Sequence, residues 1–300
     1  MISVLLSALM LLPAAGCNDD NSDDSDSGDN GTSDSDTDTD TDTDTDSDTD
    51  SDSDTDTDAD DIWEPGPGTT WQWQLTGTID TSVDVEMYDV DVWRTSAKLV
   101  DELHGDGHVV ICYFSAGSWE DWRPDADDFP DETIGEPLEE WPDESWIDIT
   151  SEDVRQIMQT RLDMAVDLGC DGVEPDNVDG YANNNGLGLT AADQLDFNKF
   201  LAKEAHQRGL SVGLKNDLDQ IDELEPWFDW ALNEECFAYD ECEMIHPFIQ
   251  AGKAVFHVEY VDERSEGQAL ADDVCGDDSI QGFSTLIKTW DLDEWYIACD

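Results

Sequence analysis

The strongest constraint on this chain is an alternation that begins at Trp71. Short apolar runs end in polar residues, and helix-spaced stretches or glycine breaks separate them. Strands alternating with helices favour a parallel sheet covered on its outer face. Eight runs qualify: Trp71–Leu75, Val85–Val90, Val109–Ser115, Asp171–Asp176, Ser211–Lys215, Asp229–Asn233, Ala254–Glu259 and Thr285–Lys288. The expected fold is therefore α/β, a (β/α)8 TIM-type barrel. Thr150 caps a predicted helix ending at Gly169, with Val154, Met158, Leu162 and Ala165 on one face; Thr190 and Gly209 frame another. Only about ten residues separate the first two runs, too few for a crossover helix, which makes this the weak joint of the barrel.

Composition divides the chain ahead of this region. Residues 19–61 are almost wholly Asp, Ser and Thr, with no aromatic residue, Lys or Arg. Such a tract buries no core and repels itself, so 18–61 is expected to be a disordered acidic linker. The DxDxD spacing lacks the Gly and closing Glu of a calcium loop. Met1–Gly16 is apolar, too short to span a bilayer, and leads through LPAAG to Cys17. Residues 1–17 are expected to be a signal peptide with a lipobox-like cysteine, although Ala14 and the missing basic start depart from that pattern. The protein is then exported, as an outer-membrane or cell-surface lipoprotein anchored through Cys17, or as a secreted protein. Residues 62–300 form the expected barrel domain, with no membrane contact beyond that anchor.

The tract holds 21 of the 77 acidic residues, which leaves 56 against 12 basic ones, net −44, in the domain. That charge excludes a nucleic-acid partner and steers cations inward. The six cysteines beyond Cys17 (Cys112, Cys170, Cys236, Cys242, Cys275 and Cys299) are disulfide candidates, with fifteen pairings open. Cys236 and Cys242 are near in sequence, Cys112 and Cys170 fall on neighbouring predicted strands, and Cys275 with Cys299 would tie down the C-terminus. Their spacings suit zinc poorly.

In a barrel the active site lies at the C-terminal strand ends. The polar residues gather there: Asp89, Tyr113, Glu174, Asp176, Asn177, Asp179, Lys215, Asn216, Asn233, Glu234 and Glu259. In GCDGVEPDNVDGY, period two puts Glu174 and Asp176 on one strand face, and two acids there are costly to bury without a task. The long segment from Ala116 to Ile149 adds Trp119, Trp122, Trp141 and Trp146, whose rings suit sugar faces. No phosphate-binding glycine loop, HExxH or GxSxG string is present, and the histidines are scattered. A carboxylate pocket with aromatic walls fits glycosidic bond cleavage, in which one carboxyl attacks or positions water while another donates a proton; Asp176, last on its strand face, can reach a substrate, and Glu234 holds a sensible acid/base position across the barrel. No cofactor or metal is expected. Asp89, Tyr113, Asn177, Lys215, Asn216 and Asn233 are read as substrate-binding, and Glu174, Asp179 and Glu259 as partners for a substrate ammonium.

The strings ICYFSAGSWEDWRPD, GCDGVEPDNVDGY, LSVGLKND, NEECFAYDECE and KAVFHVEY, in this order, resemble glycoside hydrolase family 114, the endo-α-1,4-polygalactosaminidases, over most of 69–299. The resemblance implies a barrel that cleaves α-1,4-linked galactosamine polymers with retention. It also implies a nucleophilic Asp ending the fourth strand and an acid/base Glu ending the sixth, which match Asp176 and Glu234. Glu235 stands where the family string often has Gln, a second acid beside the assigned one. The expected partner is a cationic or partly acetylated galactosaminoglycan. Two rivals stay open: a non-catalytic surface polysaccharide-binding module, and a metal-dependent hydrolase or deacetylase, for which the pocket offers at most one histidine.

Overall fold

The computed structural model describes residues 62–139 and 141–299. The expected signal segment with Cys17 and the acidic linker lie outside them. No helix among the described residues is long and apolar enough to cross a membrane.

The chain opens with β1 (Trp71–Gln74), β2 (Met87–Asp91), α1 (Ala97–Asp106) and β3 (Val109–Ser115). An excursion follows, made of β4 (Ser118–Glu120), β5 (Ile134–Pro137) and β6 (Glu144–Ile147), before α2 (Glu152–Leu168) and β7 (Gly172–Asp176). Then come α3 (Ala191–His206), β8 (Ser211–Lys215), α4 (Ile221–Leu224) and β9 (Trp230–Glu234). The chain finishes with α5 (His246–Gln250), β10 (Val255–Val261), α6 (Gly267–Val274), β11 (Ser284–Thr289) and β12 (Ile297–Ala298). The main sheet has nine strands in the order β1-β2-β3-β7-β8-β9-β10-β11-β12. All neighbours are parallel except β12, which runs antiparallel to β11.

The eight predicted strands are present in sequence order, but the expected closed ladder differs at the seam. Among the described residues no ladder joins β1 to β11, because β12 returns along the free edge of β11. The gap is bridged by the segment after β11 and by one side-chain bond to the first residue of β11. Leu292 O accepts from Leu75 N at 2.9 Å and Thr76 N at 3.2 Å, and Trp71 Nε1 donates to Ser284 O at 2.9 Å. The architecture is a mixed α/β fold around a curled sheet.

Alternation along the strands divides the core in two. Trp71, Trp73, Met87, Ile111, Tyr113, Trp230, Leu232, Phe256 and Val258 fill one face, while Tyr88, Val110, Cys112, Phe114, Val173 and Val212 pack with the helices on the other. Gly213 makes the inner packing feasible, since a Cβ there would sit 2.2 Å from the Trp230 ring.

Helix boundaries follow local chemistry. Thr190 forms a capping box with Asp193 at the start of α3, and Gly169 ends α2 at φ 92°. The cap of α2 is Ser151, one residue beyond the predicted Thr150, and Ser151 makes no side-chain capping bond. No helix lies between β1 and β2, as the short spacing requires, and α4 and α5 have only four and five residues. The excursion after β3, read as one long loop, folds as an antiparallel sheet in the order β4-β6-β5.

Three disulfides join Cys112 to Cys170, Cys236 to Cys242 and Cys275 to Cys299. Cys112–Cys170 closes 58 residues and links β3 to the approach of β7, whereas Cys236–Cys242 closes 6. Loop-closure entropy then gives about 4 kcal/mol for the first and about 2 kcal/mol for the second. Denaturant titration of the two paired Cys→Ala variants should show the larger loss for Cys112/Cys170, and the reverse order would contradict this account.

Candidate active site

The site is built on the carboxyl ends of the parallel strands, around a cavity of about 1080 Å³. At its floor, Lys215 ends β8 facing inward and is 2 % exposed. Its Nζ lies 3.0 Å from Glu174 Oε1, 2.9 Å from Asp176 Oδ1 and 3.2 Å from Glu234 Oε2. The Trp73 ring closes the remaining side at 4.9 Å, and its Nε1 donates to Glu174 Oε2 at 3.0 Å. Burial alone would push this ammonium down. The carboxylates of Asp176, Glu174 and Glu234 outweigh that and hold it well above the usual lysine range.

Each end carboxylate has a second set of donors. Asp176 Oδ2 accepts from Tyr113 Oη at 3.0 Å, and its Oδ1 accepts from Asn177 N at 2.7 Å. Glu234 Oε1 accepts from Tyr260 Oη, while Oε2 accepts from Asn216 Nδ2 at 3.2 Å. Tyr260 is itself stacked on Trp290, centroids 4.1 Å apart. Burial, reinforced by Asp176 at Tyr113 and by Glu234 at Tyr260, raises both phenols well above the usual range, so both remain donors at neutral pH.

The chain turns sharply just after these strands. Asn177, Asn216 and Glu235, directly following β7, β8 and β9, have φ of 61°, 48° and 61°. Asn tolerates this left-handed region, whereas Glu235 occupies it at a cost of about 1–3 kcal/mol. Gly117 permits the approach of the β7 turn, because a Cβ on it would lie 1.7 Å from Asn177 O.

The structure brings most of the expected residues together with different duties. Asn177 directs its amide to Ser115 Oγ at 2.9 Å, and Asn216 Oδ1 receives Glu234 N at 3.0 Å and Asn233 Nδ2 at 3.2 Å. These asparagines hold the turns. Asp179 lines the cavity, and burial, then Asp176, raises its carboxyl to about 6. Glu259 lies apart from the cluster. Period two points Val258 and Tyr260 inward, which turns Glu259 toward the loop after β9 to accept from Phe237 N at 2.8 Å and contact His257 Nε2 at 2.9 Å. The only three-ligand metal geometry among the described residues is Cys236, Cys242 and His257, but its two thiols form a disulfide.

Four site residues escaped the sequence reading. Trp73 and Tyr260 sit on the inward register and could have been found by extending the alternation. Glu144 and Asp217 offered no such signal, since one starts β6 of the excursion and the other follows the β8 turn at φ 47°. Burial and then Asp179 raise Asp217 to about 8, and Asn198 Nδ2 donates to it at 2.8 Å.

Asp89 is fully buried on β2, and neither of its oxygens meets an N–H or hydroxyl donor. Its partner is the Glu174 carboxyl, so the two acids share a proton. Burial, then Glu174, raises Asp89 well above the carboxylate range, while burial brings Glu174 to about 7. A raised carboxyl favours the fold below its unfolded value, and that contribution is lost as pH rises through the folded value. Unfolding free energy should therefore decline in the wild type as pH rises from about 4.5, the ordinary glutamate value, through about 7, and Asp89→Asn, which keeps a neutral donor toward Glu174, should flatten the decline. Denaturation at pH 5 and pH 8 checks this, and an equal slope in both proteins would contradict the shared proton.

The sequence profile described as glycoside-hydrolase family GH114 matches residues 52–300. The crystal structure of Aspergillus fumigatus Ega3 in complex with galactosamine is 47% identical, with a TM-score of 0.76, over 79% of this chain and 97% of that one. The glycoside hydrolase domain of PelA from Pseudomonas aeruginosa shares the fold at 15% identity and a TM-score of 0.60, over 78% of this chain and 99% of its own. No curated protein matches the chain. The profile spans the entire fold that carries the clustered carboxylates: the chain belongs to glycoside-hydrolase family GH114 and is a glycoside hydrolase.

Proposed function

We propose that the enzyme cleaves α-1,4-linked galactosamine-containing polysaccharide within the polymer and with retention, on a (β/α)8-type scaffold. Asp176 is the nucleophile and Glu234 the acid/base. One observation carries the mechanism: Lys215 Nζ touches both Asp176 and Glu234. Two oxygens on one nitrogen at those distances are no more than about 6 Å apart, which favours retention over the wider inverting separation.

In the first step the Asp176 carboxylate attacks C1 as Glu234 gives its proton to the departing glycosidic oxygen, forming a glycosyl ester. Water then gives a proton to Glu234 and attacks C1, and the Asp176 carboxylate is released. Lys215 keeps a positive charge beside Asp176 throughout. Tyr113 and Tyr260 orient the two carboxyls from the opposite sides.

Galactosamine bound to the 47% identical Ega3 supports the sugar, and the acidic domain suits a cationic polymer. Internal cleavage is supported by the cavity lining, where Trp122 and Trp141 of the excursion and Trp290 after β11 stay exposed, as platforms for sugar rings beyond the cleaved pair. The leader ending at Cys17 and the acidic tract support an exported enzyme on a lipid-anchored stalk, and three disulfides suit an oxidising compartment.

Reducing-end release from polygalactosamine tests the assignment. Asp176→Asn should abolish turnover, and Glu234→Gln should lower kcat by about 10²–10⁴-fold, with folding intact by circular dichroism. Near wild-type turnover in either variant would contradict the role given to that residue.

A further inference from the structure

A sugar held for attack by Asp176 carries its C2 substituent on the carbon next to the reacting one. Whatever flanks the nucleophile therefore meets the amino group that distinguishes galactosamine from galactose. Lys215 occupies the Oδ1 side of Asp176 and repels an ammonium. On the Oδ2 side stands Tyr113, whose hydroxyl is already committed to Asp176. Glu144 belongs to this second side. It lines the same cavity, and its charge acts on Tyr113 and Asp176.

Glu144 is held for such a contact. The turn from Trp141, closed by Glu144 N donating to Trp141 O at 2.9 Å, presents it at the start of β6. Ser118 Oγ donates to its Oε2 at 2.7 Å, and the same hydroxyl contacts Ser115 Oγ at 2.6 Å, within the network that fixes Asn177 behind the nucleophile. Among the described residues no Lys or Arg pairs with it. Arg123, the nearby cation, is taken up by Asp91 and Glu120, each at 2.7 Å. We propose that Glu144 binds the C2 ammonium of the sugar attacked by Asp176 and selects de-N-acetylated galactosamine at that position. This inference rests on the galactosaminidase reading above and adds a specificity residue to it.

The electrostatics fit. Burial raises Glu144 to about 7; Ser118 and Arg123 pull it down, while Glu120 and Asp176 push it up, and Tyr113 faces it as a neutral phenol. A half-buried carboxylate without a counter-ion gains most from an arriving cation, which supplies the missing charge.

The test compares kcat/KM of the purified protein on α-1,4-galactosamine oligomers and on their N-acetylated counterparts. Glu144→Gln should lower the ratio of the two by about tenfold or more, chiefly through KM for the amine substrate. Glu144→Asp, which withdraws the charge by one methylene, should give an intermediate ratio, and it decides the matter alone if the Gln variant does not fold. Equal losses on both substrates would mark Glu144 as merely structural and overturn the proposal. A wild type that cleaves neither oligomer would overturn the galactosaminidase reading and this inference with it, an outcome visible before any variant is compared.

Discussion

One buried ammonium organises this enzyme. Three carboxylates converge on Lys215, and a fourth, Asp89, stands behind them with no donor of its own. A single positive charge cannot neutralise four acids gathered around a floor where Lys215, Glu174 and Asp89 are buried. The surplus is met by protons and hydroxyls: a proton shared by Asp89 and Glu174, and the phenols of Tyr113 and Tyr260 on the outer oxygens of Asp176 and Glu234. Removing the ammonium would leave its neighbours uncompensated, so Lys215 is as much a condition for the fold of the floor as for its chemistry.

The scaffold serves this cluster through period two. Inward positions near the carboxyl ends of β3, β7, β8, β9 and β10 carry Tyr113, Asp176, Lys215, Glu234 and Tyr260, and all five line the cavity. Left-handed turns at Asn177, Asn216 and Glu235 then carry the backbone away. The same alternation packs Trp73 and Trp230 beneath the cluster, excluding water from below. The seam between β1 and β11 lies away from β7, β8 and β9, so bridging it with a returning segment leaves these three strands paired without interruption.

Much of this was legible in the sequence, for a physical reason. Asp176, Lys215 and Glu234 sit at the ends of apolar runs, where strand periodicity states their direction. Glu259 was misplaced because a strand end was read without its parity: one residue along, Tyr260 faces the site. Glu144 and Asp217 depend on an antiparallel excursion and a left-handed turn, and neither leaves a periodic trace. The missing β1–β11 ladder was likewise hidden, since strand counting does not reveal which partner takes an edge. Membership of GH114 was carried by strings spread across several strands, whereas the duties of the asparagines as turn-holders emerged only from their hydrogen bonds.

Asp176 and Glu234 meet on their shared lysine, and that closeness favours direct attack over attack by an intervening water. Proton NMR of the first product formed from α-1,4-galactosamine oligomers reads this before the anomers equilibrate. Retention, the outcome proposed from the pair on one ammonium, gives the α anomer first. Initial appearance of the β anomer would mean inversion and contradict the roles proposed for Asp176 and Glu234.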